Sequence, residues 1–316
     1  MKIHREIKSL GRVVSGFVAT VGTFDGVHLG HKKVIGCLLE RAKKRGVPSA
    51  LITFEPHPKA VVDGSSKPFV LTTGEEKARI VEETGVEFMI AVQFSKSFAS
   101  IEPKDFITQF LFEGLKVREI VVGYDHHFGF HRKGDISLLR DEGKRLGFDI
   151  DVVAPALLDG LPISSTRIRR MLVEGDVPMA NKMLGRPYSF CGKVVEGVSR
   201  GGKLGFKTAN ILLSSERKLL PGDGVYAVMA LVGDKLHQAV MNIGCVPTFK
   251  QKERSLEVHI IGFAEEIYGK EITVQFHRKI REEIEFESEK ALAFQIEEDV
   301  EESKKVLSEI SRRGKD

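Results

Sequence analysis

Cysteine is scarce in this sequence, and long apolar runs are missing. Its 316 residues include three cysteines, Cys37, Cys191 and Cys245, which are odd in number and far apart. They offer neither a disulfide framework nor a CxxC zinc site. No apolar run approaches the ~20 residues of a membrane-spanning helix, and no apolar segment typical of a signal peptide follows the first lysines. We therefore expect neither a secreted protein nor a membrane-spanning one.

A large excess of charge is missing as well. The formal net charge is +4. Residues 1–186 hold 28 Lys and Arg against 23 Asp and Glu, and residues 187–316 hold 20 against 21. So small an excess in the first part does not indicate a nucleic-acid groove, although it is compatible with a site for small polyphosphates. We expect small-molecule substrates, and neither nucleic acid nor a membrane as a partner.

The composition is that of a soluble globular protein, with 42% apolar and 29% charged residues. At ~150 residues per domain, the length predicts about two domains. Residues 1–186 alternate strand and helix patterns, which favours an α/β domain with a parallel sheet. The predicted strands are Arg12–Val21, Ser49–Phe54, Glu87–Phe94, Glu119–Gly123 and Phe148–Ala154, and the predicted helices are His31–Lys44, Thr73–Thr84, Pro103–Leu115 and Ile136–Leu146.

The pattern changes near Pro187, where short β-like runs separated by glycine-containing turns begin. These runs predict an antiparallel β-barrel for residues 187–316. They are Tyr188–Val195, Thr208–Leu213, Val225–Val232, Lys235–Ile243, Ser255–Phe263 and Glu271–Arg278. The apolar positions of Ser288–Ser311 predict a terminal helix that packs on the barrel.

The most informative stretch runs from Gly22 to His31 and reads GTFDGVHLGH. It joins a predicted strand to a predicted helix. Its glycines let the backbone approach a ligand, and helix N-terminal amides favour a phosphate. His28 and His31 can face the same ligand and stabilise charge on a phosphoryl group. A purely structural glycine turn, or a His pair that binds a metal, are the alternatives.

The stretch resembles the HxGH signature of the nucleotidyltransferases. More narrowly, it is similar to the first motif of the bacterial bifunctional riboflavin kinase/FMN adenylyltransferase family. Further motifs follow in that family's order: Ile52–Pro58, Gly123–Gly129, Ile163–Arg169, Gly205–Asn210, Gly224–Tyr226, Asn242–Phe249 and Leu256–His259. The resemblance spans nearly the whole chain. It implies a Rossmann-like nucleotidyltransferase domain at 1–186 and a riboflavin kinase barrel with a terminal helix at 187–316.

For the first domain the resemblance implies that FMN attacks the α-phosphorus of ATP, giving FAD and pyrophosphate. His28 and His31 are the implied catalytic residues. The implied ATP- and phosphate-binding residues are Gly22, Phe24, Asp25, Gly30, His57, Asp125, Ser164, Ser165, Thr166, Arg167 and Arg169. The hydroxyl and guanidinium groups of Ser164–Arg169 can form an anion cradle at a helix start. The simpler alternatives are an N-cap with a basic face, a structural turn at His57 and a turn cap at Asp125.

For the second domain the resemblance implies transfer of the ATP γ-phosphate to riboflavin, with Glu257 as the catalytic base. Thr208 and Asn210 are the implied Mg²⁺ ligands, and neutral oxygens suit that ion. The implied ATP- and flavin-binding residues are Arg200, Gly201, Lys203, Gly205, Thr208, Asn210, Tyr226 and Arg281. The basic, glycine-rich loop lacks the P-loop spacing. A solvated strand face is the alternative for Glu257.

Three residues depart from the family pattern: Lys207 replaces a proline, Val246 usually an arginine, and His126 a phenylalanine. A lysine at 207 either loosens the approach to Thr208 and weakens the kinase, or adds a contact to phosphate; in both cases we expect kinase activity to survive. His126 alters an aromatic loop position. A metal site from His126, His127 and His131 is an open alternative.

We therefore expect a cytoplasmic enzyme, monomeric or transiently oligomeric, that uses Mg²⁺ and ATP and converts riboflavin to FMN and FAD. Two alternatives stay open. One is a nucleotidyltransferase for another phosphate substrate with a barrel that only binds flavin. The other is a non-catalytic, flavin-responsive regulator on the same scaffold.

Overall fold

The computed structural model describes residues 1–5, 16–62, 69–196, 208–247 and 252–313, with only the backbone at 245–247, 252–253 and 311–313. Contacts divide the chain into two compact units, Met1–Ser165 and Thr166–Asp316. The sequence predicts a boundary after residue 186 between the adenylyltransferase and kinase domains, and that boundary stays a prediction.

The first unit is built on a parallel sheet. Its strands are β1 Lys2–His4, β2 Phe17–Val21, β3 Ser49–Glu55, β4 Phe88–Gln93, β5 Val117–Gly123 and β6 Asp149–Val153, followed by the hairpin β7 Leu157–Leu158 and β8 Leu161–Pro162. The strand order is β1-β4-β3-β2-β5-β6, and every pairing is parallel. This confirms the predicted α/β class. The order reverses direction at β2, so the carboxyl end of β2 is the place where ligands of such sheets bind.

The helices of the first unit connect these strands. They are α1 Leu29–Arg45, α2 Pro58–Val62, α3 Gly74–Glu82, α4 Lys96–Ala99, α5 Pro103–Asp105 and α6 Ile136–Leu146. A π-helical segment, Phe106–Gly114, continues α5, and a 3₁₀ turn spans Phe130–Arg132. The chain therefore bonds i to i+5 in most of the segment that the sequence predicts as an ordinary helix.

Both faces of the sheet are covered by apolar cores. Side chains alternate along each strand, so neighbouring residues of one strand point into different cores. Phe17 and Ala19 of β2 face one apolar core, whereas Val18 faces the other. The second core also contains Ile35 and Leu38 of α1. Helix α1 thus lies directly against β2, and the loop between them is anchored at both ends.

The second unit is a closed antiparallel barrel. Helices α7 Ser165–Val173, which starts at the last residue of the first unit, and α8 Val177–Leu184 precede it. Its strands are β9 Tyr188–Val195, β10 Ala209–Leu213, β11 Gly224–Val232, β12 Lys235–Pro247, β13 Lys252–Ile260 and β14 Glu271–Arg281, and helix α9 Glu289–Arg313 follows. The strands close in the order β10-β13-β12-β11-β14-β9. The predicted barrel is confirmed.

The barrel has an apolar interior and a partly covered exterior. Phe190, Tyr226 and Phe276 are fully buried inside it, and the Phe276 ring contacts the rings of the other two. Outside, α9 packs against β11, β12 and β14, and Val306 of α9 shares a cluster with Ala227 of β11. The predicted terminal helix therefore covers one side of the barrel and leaves other strand faces accessible.

Candidate active sites

The loop that joins β2 to α1, residues 22–28, has a constrained backbone. Val27 has φ of 38°, a left-handed value that is rare for a β-branched residue. The Asp25 carboxylate is 1% exposed and accepts hydrogen bonds from the backbone N–H groups of Leu71, at 2.9 Å, and Thr72, at 3.0 Å. These bonds hold the strained loop in place. Asp25 therefore anchors the loop, and its predicted contact with phosphate stays a prediction.

His28 and His31 meet where α1 begins. His28 is the N-cap, and its Nδ1 accepts a hydrogen bond from the His31 backbone N–H at 3.3 Å. The two rings stack with their centroids 3.7 Å apart. Because Nδ1 accepts, Nε2 carries the proton of a neutral His28 ring. The histidine pair thus presents an N–H donor beside the first amides of a helix, where anions bind.

Two glycines of the same stretch leave room for aromatic rings. A Cβ on Gly30 would lie 3.0 Å from Cε1 of His28, and a Cβ on Gly22 would lie 3.2 Å from the Phe24 ring. The Phe24 ring in turn contacts His31, with centroids 5.1 Å apart. Larger residues at the glycines would displace these rings, because the surroundings are close-packed. The structure therefore brings these predicted residues together.

A buried lysine lies beneath the loop, and the sequence interpretation missed it. Lys77 of α3 is 5% exposed, and its Nζ donates to Thr53 Oγ1 at 3.1 Å. The Thr53 hydroxyl donates to the Thr23 carbonyl at 3.0 Å. Burial lowers the pKa of Lys77, while the charges of Asp25 and Glu55 act in the opposite direction. One feature of the sequence could have indicated its burial. Lys77 precedes Val81 by four residues, so both lie on the same face of α3, and that face is buried.

The serine-containing motif lies against the same loop. Ser165 Oγ donates to the backbone carbonyl of Asp25 at 2.9 Å. The Ile163 carbonyl would lie 3.5 Å from a Cβ on Gly30. Two predicted motifs, whose contacting residues Asp25 and Ser165 are 140 positions apart, therefore meet in the first unit. Ser164 is half-buried; Thr166, Arg167 and Arg169 lie on α7 in the second unit, with Thr166 exposed.

Two further predicted residues follow the carboxyl ends of strands. After β3, His57 Nδ1 accepts from the Lys59 N–H at 3.1 Å, and its ring contacts Phe69 edge to face. After β5, Asp125 is exposed, and its carbonyl oxygen lies 2.9 Å from Nδ1 of His127. Both residues are therefore at the ligand edge of the sheet, and their contacts with a nucleotide stay predictions.

His126 is held in its neutral form. Desolvation, together with the nearby positive charges of His127 and Arg132, lowers the pKa of His126 to about 4. Its ring stacks on Phe128, with centroids 5.6 Å apart. Across the described ranges, no group of three or more His, Cys, Asp or Glu side chains is placed to hold a metal ion. The structure gives no support to a metal site at His126, His127 and His131.

An aromatic surface lies at the same sheet edge, and the sequence interpretation missed it too. It consists of Phe54 at the end of β3, Phe94 just after β4, and Phe98 on α4. Their ring centroids are 5.6, 5.7 and 5.8 Å apart, and all three side chains are half-buried. Such a surface can take a flat aromatic ligand.

In the barrel, three polar residues lie side by side. Glu257 of β13 is directly opposite Asn210 of β10 on one side and Asn242 of β12 on the other. Opposed residues of antiparallel strands point to the same face, with Cβ atoms about 5 Å apart. Leu256 and Val258 are buried inside, so Glu257 faces outward. The predicted base and one predicted metal ligand are therefore neighbours, and Thr208 is half-buried just before β10.

Several predicted kinase residues lie outside the described residues. They are Arg200, Gly201, Lys203 and Gly205, and the family departure Lys207 lies there as well. For Val246 the structure describes only the backbone, which belongs to β12. Their predicted roles stay predictions.

The side chains of Tyr226 and Arg281 form hydrogen bonds with other residues of the protein. Tyr226 is 0% exposed inside the barrel, its hydroxyl donates to the Gly222 carbonyl, and burial raises its pKa. Arg281 makes a two-pronged ion pair with buried Asp299 of α9, at 2.9 and 2.7 Å. The structure thus places Tyr226 in the core and makes Arg281 a link between β14 and α9. Their contacts with ligand stay predictions.

Comparison with known proteins agrees with this division. The FAD synthetase family model matches residues 12–167, and the riboflavin kinase family model matches residues 184–307. A crystal structure described as a macrolide-efflux protein from Streptococcus pneumoniae superimposes with a TM-score of 0.85 at 29% identity, covering 96% of this chain and 99% of that one. In the described part of this chain, we find no helix with the length and apolar character to cross a membrane.

Curated relatives match over nearly their full length. A bifunctional riboflavin kinase/FMN adenylyltransferase of Buchnera aphidicola is 37% identical over 98% of this chain and 100% of its own. Proteins of the same name from Escherichia coli K12 and Bacillus subtilis are each 38% identical, over 95% and 93% of this chain and 96% and 94% of their own. The chain belongs to the bifunctional riboflavin kinase/FMN adenylyltransferase family.

Proposed function

We propose that this chain phosphorylates riboflavin to FMN in its barrel and adenylylates FMN to FAD in its α/β unit, with ATP as the second substrate of both steps. The observation that carries the proposal is the pairing of the predicted groups in each unit. His28 stacks on His31 where α1 begins, and Glu257 lies opposite Asn210.

In the α/β unit, a phosphate oxygen of FMN attacks the α-phosphorus of ATP. The new P–O bond forms as the bond to the bridging oxygen breaks, and pyrophosphate leaves. Transfer of this kind needs positioning and charge stabilisation rather than a covalent intermediate. The Nε2–H of His28, the ring of His31 and the first amides of α1 supply donors to the phosphoryl oxygens. The aromatic surface supports binding of the flavin ring.

In the barrel, Glu257 takes the proton from a riboflavin hydroxyl as its oxygen attacks the γ-phosphorus of ATP, and ADP leaves. Thr208 and Asn210 would hold Mg²⁺, because a hydroxyl and an amide carbonyl are hard oxygen ligands that this ion prefers. When bound, the ion would neutralise charge on the phosphates. The placement of Asn210 beside Glu257 supports this, because base and metal ligand must reach the same phosphoryl group.

The proposal also includes the partners, the oligomeric state and the cellular location of the enzyme. We expect small-molecule substrates alone, with neither nucleic acid nor membrane as a partner, a monomer or transient oligomer, and activity in the cytoplasm. The small charge excess and the three scattered cysteines support these expectations. The kinase half is expected to begin after residue 186.

A time course with the unaltered full chain, riboflavin and Mg-ATP tests the function. Chromatography should show FMN first and FAD later. FAD from supplied FMN, without phosphorylation of riboflavin, would leave a single adenylyltransferase activity beside a barrel that only binds flavin, whereas adenylylation of another phosphate in place of FMN would favour the first alternative. No turnover of ATP with riboflavin or FMN would favour the regulator.

A further inference from the structure

Lys77 is a buried basic side chain that the proposed mechanism does not use. It lies on α3 and is 5% exposed, and its Nζ donates to Thr53 Oγ1 of β3 at 3.1 Å. A lysine so deeply buried is rare, because its charge loses the hydration that water gives. The contacts around Lys77 indicate what this cost supports in the α/β unit.

The loop between β2 and α1 is held by two separate elements. The segment that leads into α3 holds the middle of the loop: the Thr72 backbone N–H donates to the Asp25 carboxylate at 3.0 Å, and Thr72 Oγ1 accepts from the Gly26 N–H at 3.0 Å. Strand β3 holds the start of the loop, since the Thr53 hydroxyl donates to the Thr23 carbonyl at 3.0 Å. The shape of the loop therefore depends on how β3 and the start of α3 lie relative to each other.

Lys77 connects these two supports. Its backbone belongs to α3, and its Nζ reaches across to Thr53 of β3. The direction of these contacts is fixed by chemistry. The Thr23 carbonyl can only accept, so the Thr53 hydroxyl points its proton there and has a lone pair left to accept from Lys77. A continuous chain of donors therefore runs from α3 through β3 to the start of the loop.

Two carboxylates act on the Lys77 ammonium from other elements. They belong to Asp25 of the loop and Glu55 at the end of β3, and both favour the charged form of Lys77. The Glu55 carboxylate lies against the first residue of α3, because a Cβ on Gly74 would collide with it. A positive charge at Lys77 also offsets that of Asp25, which would otherwise repel phosphates at the nearby start of α1.

We propose that Lys77 is a positioning residue for FMN adenylylation: through Thr53 it fixes the loop that places His28 at the start of α1. This inference rests on the proposed adenylyltransferase function. Because Lys77 acts through other residues, its loss should slow the chemical step more than it weakens the binding of either substrate. A displacement of about 1 Å in a group that stabilises the reacting phosphate can cost about 10²-fold in rate.

The test measures FAD formation from FMN and ATP by the full chain with Lys77→Met, which keeps most of the side-chain length and removes the donors. We expect kcat to fall at least about tenfold, with KM for FMN and for ATP changed less than about threefold. Arg79→Met is the matched control, because Arg79 is an exposed basic residue of the same helix, and it should leave both constants unchanged. Thermal unfolding of every variant establishes that the protein is folded at the assay temperature.

Thr53→Val tests the connection while the lysine stays in place. Valine has nearly the same shape and no hydroxyl, so kcat should again fall about tenfold, and Thr53→Ser, which keeps the hydroxyl, should recover most of that loss. Residues that act as one chain have effects that do not add. The double variant Lys77→Met/Thr53→Val should therefore be at most about threefold slower than the slower single variant, whereas independent effects would multiply to about 10²-fold.

A folded Lys77→Met variant with the kcat of the unaltered chain would overturn the inference, as would a change in KM alone or effects of the two substitutions that multiply. If Lys77→Met does not fold, an unchanged kcat in folded Thr53→Val overturns it instead. Loss of FAD formation in His28→Ala with an unaffected Lys77→Met would reject the positioning role and keep the proposed adenylyltransferase. An unaltered chain that forms no FAD from FMN would reject the proposed function itself.

Discussion

The two candidate sites, for which we propose similar phosphate chemistry, are built on different kinds of support. In the α/β unit, the histidine pair comes from one short stretch and lies at a strand-to-helix junction held by Asp25. In the barrel, Asn210, Glu257 and Asn242 come from three strands, and strand register brings them together. A loop site depends on the bonds that fix its backbone, whereas a strand-face site depends on pairing across the sheet.

The sharpest test of this comparison substitutes one candidate catalytic residue in each unit. Glu257→Gln removes a proton acceptor at nearly constant volume, and FMN formation should fall about 10²–10⁴-fold. His28→Ala removes a donor, and FAD formation from FMN should fall about 10²–10³-fold. Both rates are measured for both variants, and each variant should retain the other activity. A folded variant that lost both would show that the sites are not separate.

Asp25→Asn tests whether the loop site depends on its anchor. The carboxylate accepts from two backbone N–H groups, and an amide that presents NH₂ there leaves buried donors unsatisfied, at a cost of about 1–3 kcal/mol. FAD formation should fall at least about tenfold because the histidines lose their placement. Thermal unfolding and both activities are the measurements. Unchanged FMN formation is the control, and an unchanged thermal midpoint would contradict an anchoring role.

His126→Phe tests an acid sensitivity confined to the first unit. The folded-state pKa of His126 is lowered to about 4, below its ordinary 6.5. The unfolded chain therefore binds the proton first, and stability falls as pH drops from about 6.5 to 4, by about 2–3 kcal/mol for a shift of this size. The phenylalanine side chain of the variant cannot bind a proton, so this loss of stability should be absent.

The thermal midpoint should therefore fall less between pH 7 and pH 5 in His126→Phe than in the unaltered chain. The difference between the two proteins isolates His126 from other groups, including His277, whose pKa burial also lowers. Equal losses in both proteins would refute the assignment.

The smallest effect concerns helix α1, which supports the histidine pair. Gly36 and Gly46 both have open space where a Cβ would go, but Gly46 has φ of +61° as the helix C-cap. Gly36→Ala should stabilise by about 0.5–1 kcal/mol, and Gly46→Ala should destabilise by about 1 kcal/mol. Thermal midpoints of the two variants, with both activities as controls, check this. Shifts of the same sign would contradict the backbone explanation.

Most of the fold was predictable because its signals are local. Ile136–Leu146 and Tyr188–Val195 form as predicted, since apolar periodicity marks the buried face of each. The π-helical geometry of Phe106–Gly114 was not predictable, because its apolar pattern also suits an α-helix. Strand β1 was missed because Lys2–His4 is short and carries two polar residues; it joins the sheet through pairing with β4.

The candidate sites were predictable to a different degree. The motif placed His28 and His31 three residues apart, and a helix start brings their rings together. Lys77 was missed because a lysine on a helix is ordinarily solvated, and tertiary contacts bury this one under the loop. The proximity of Asn210 and Glu257 depends on the pairing of β10 with β13, since residues 47 positions apart carry no local signal of proximity.

The row across β10, β13 and β12 also determines which changes in chain length the barrel tolerates. A one-residue insertion inside β13 would reverse the faces of the strand and turn Glu257 toward the barrel interior, with Leu256 or Val258 on the outside. Extra residues at the loop tips would leave the row intact. If Glu257 is the base, as proposed, kinase activity reports directly on strand alignment, because only a barrel that has closed in the correct register brings these side chains together.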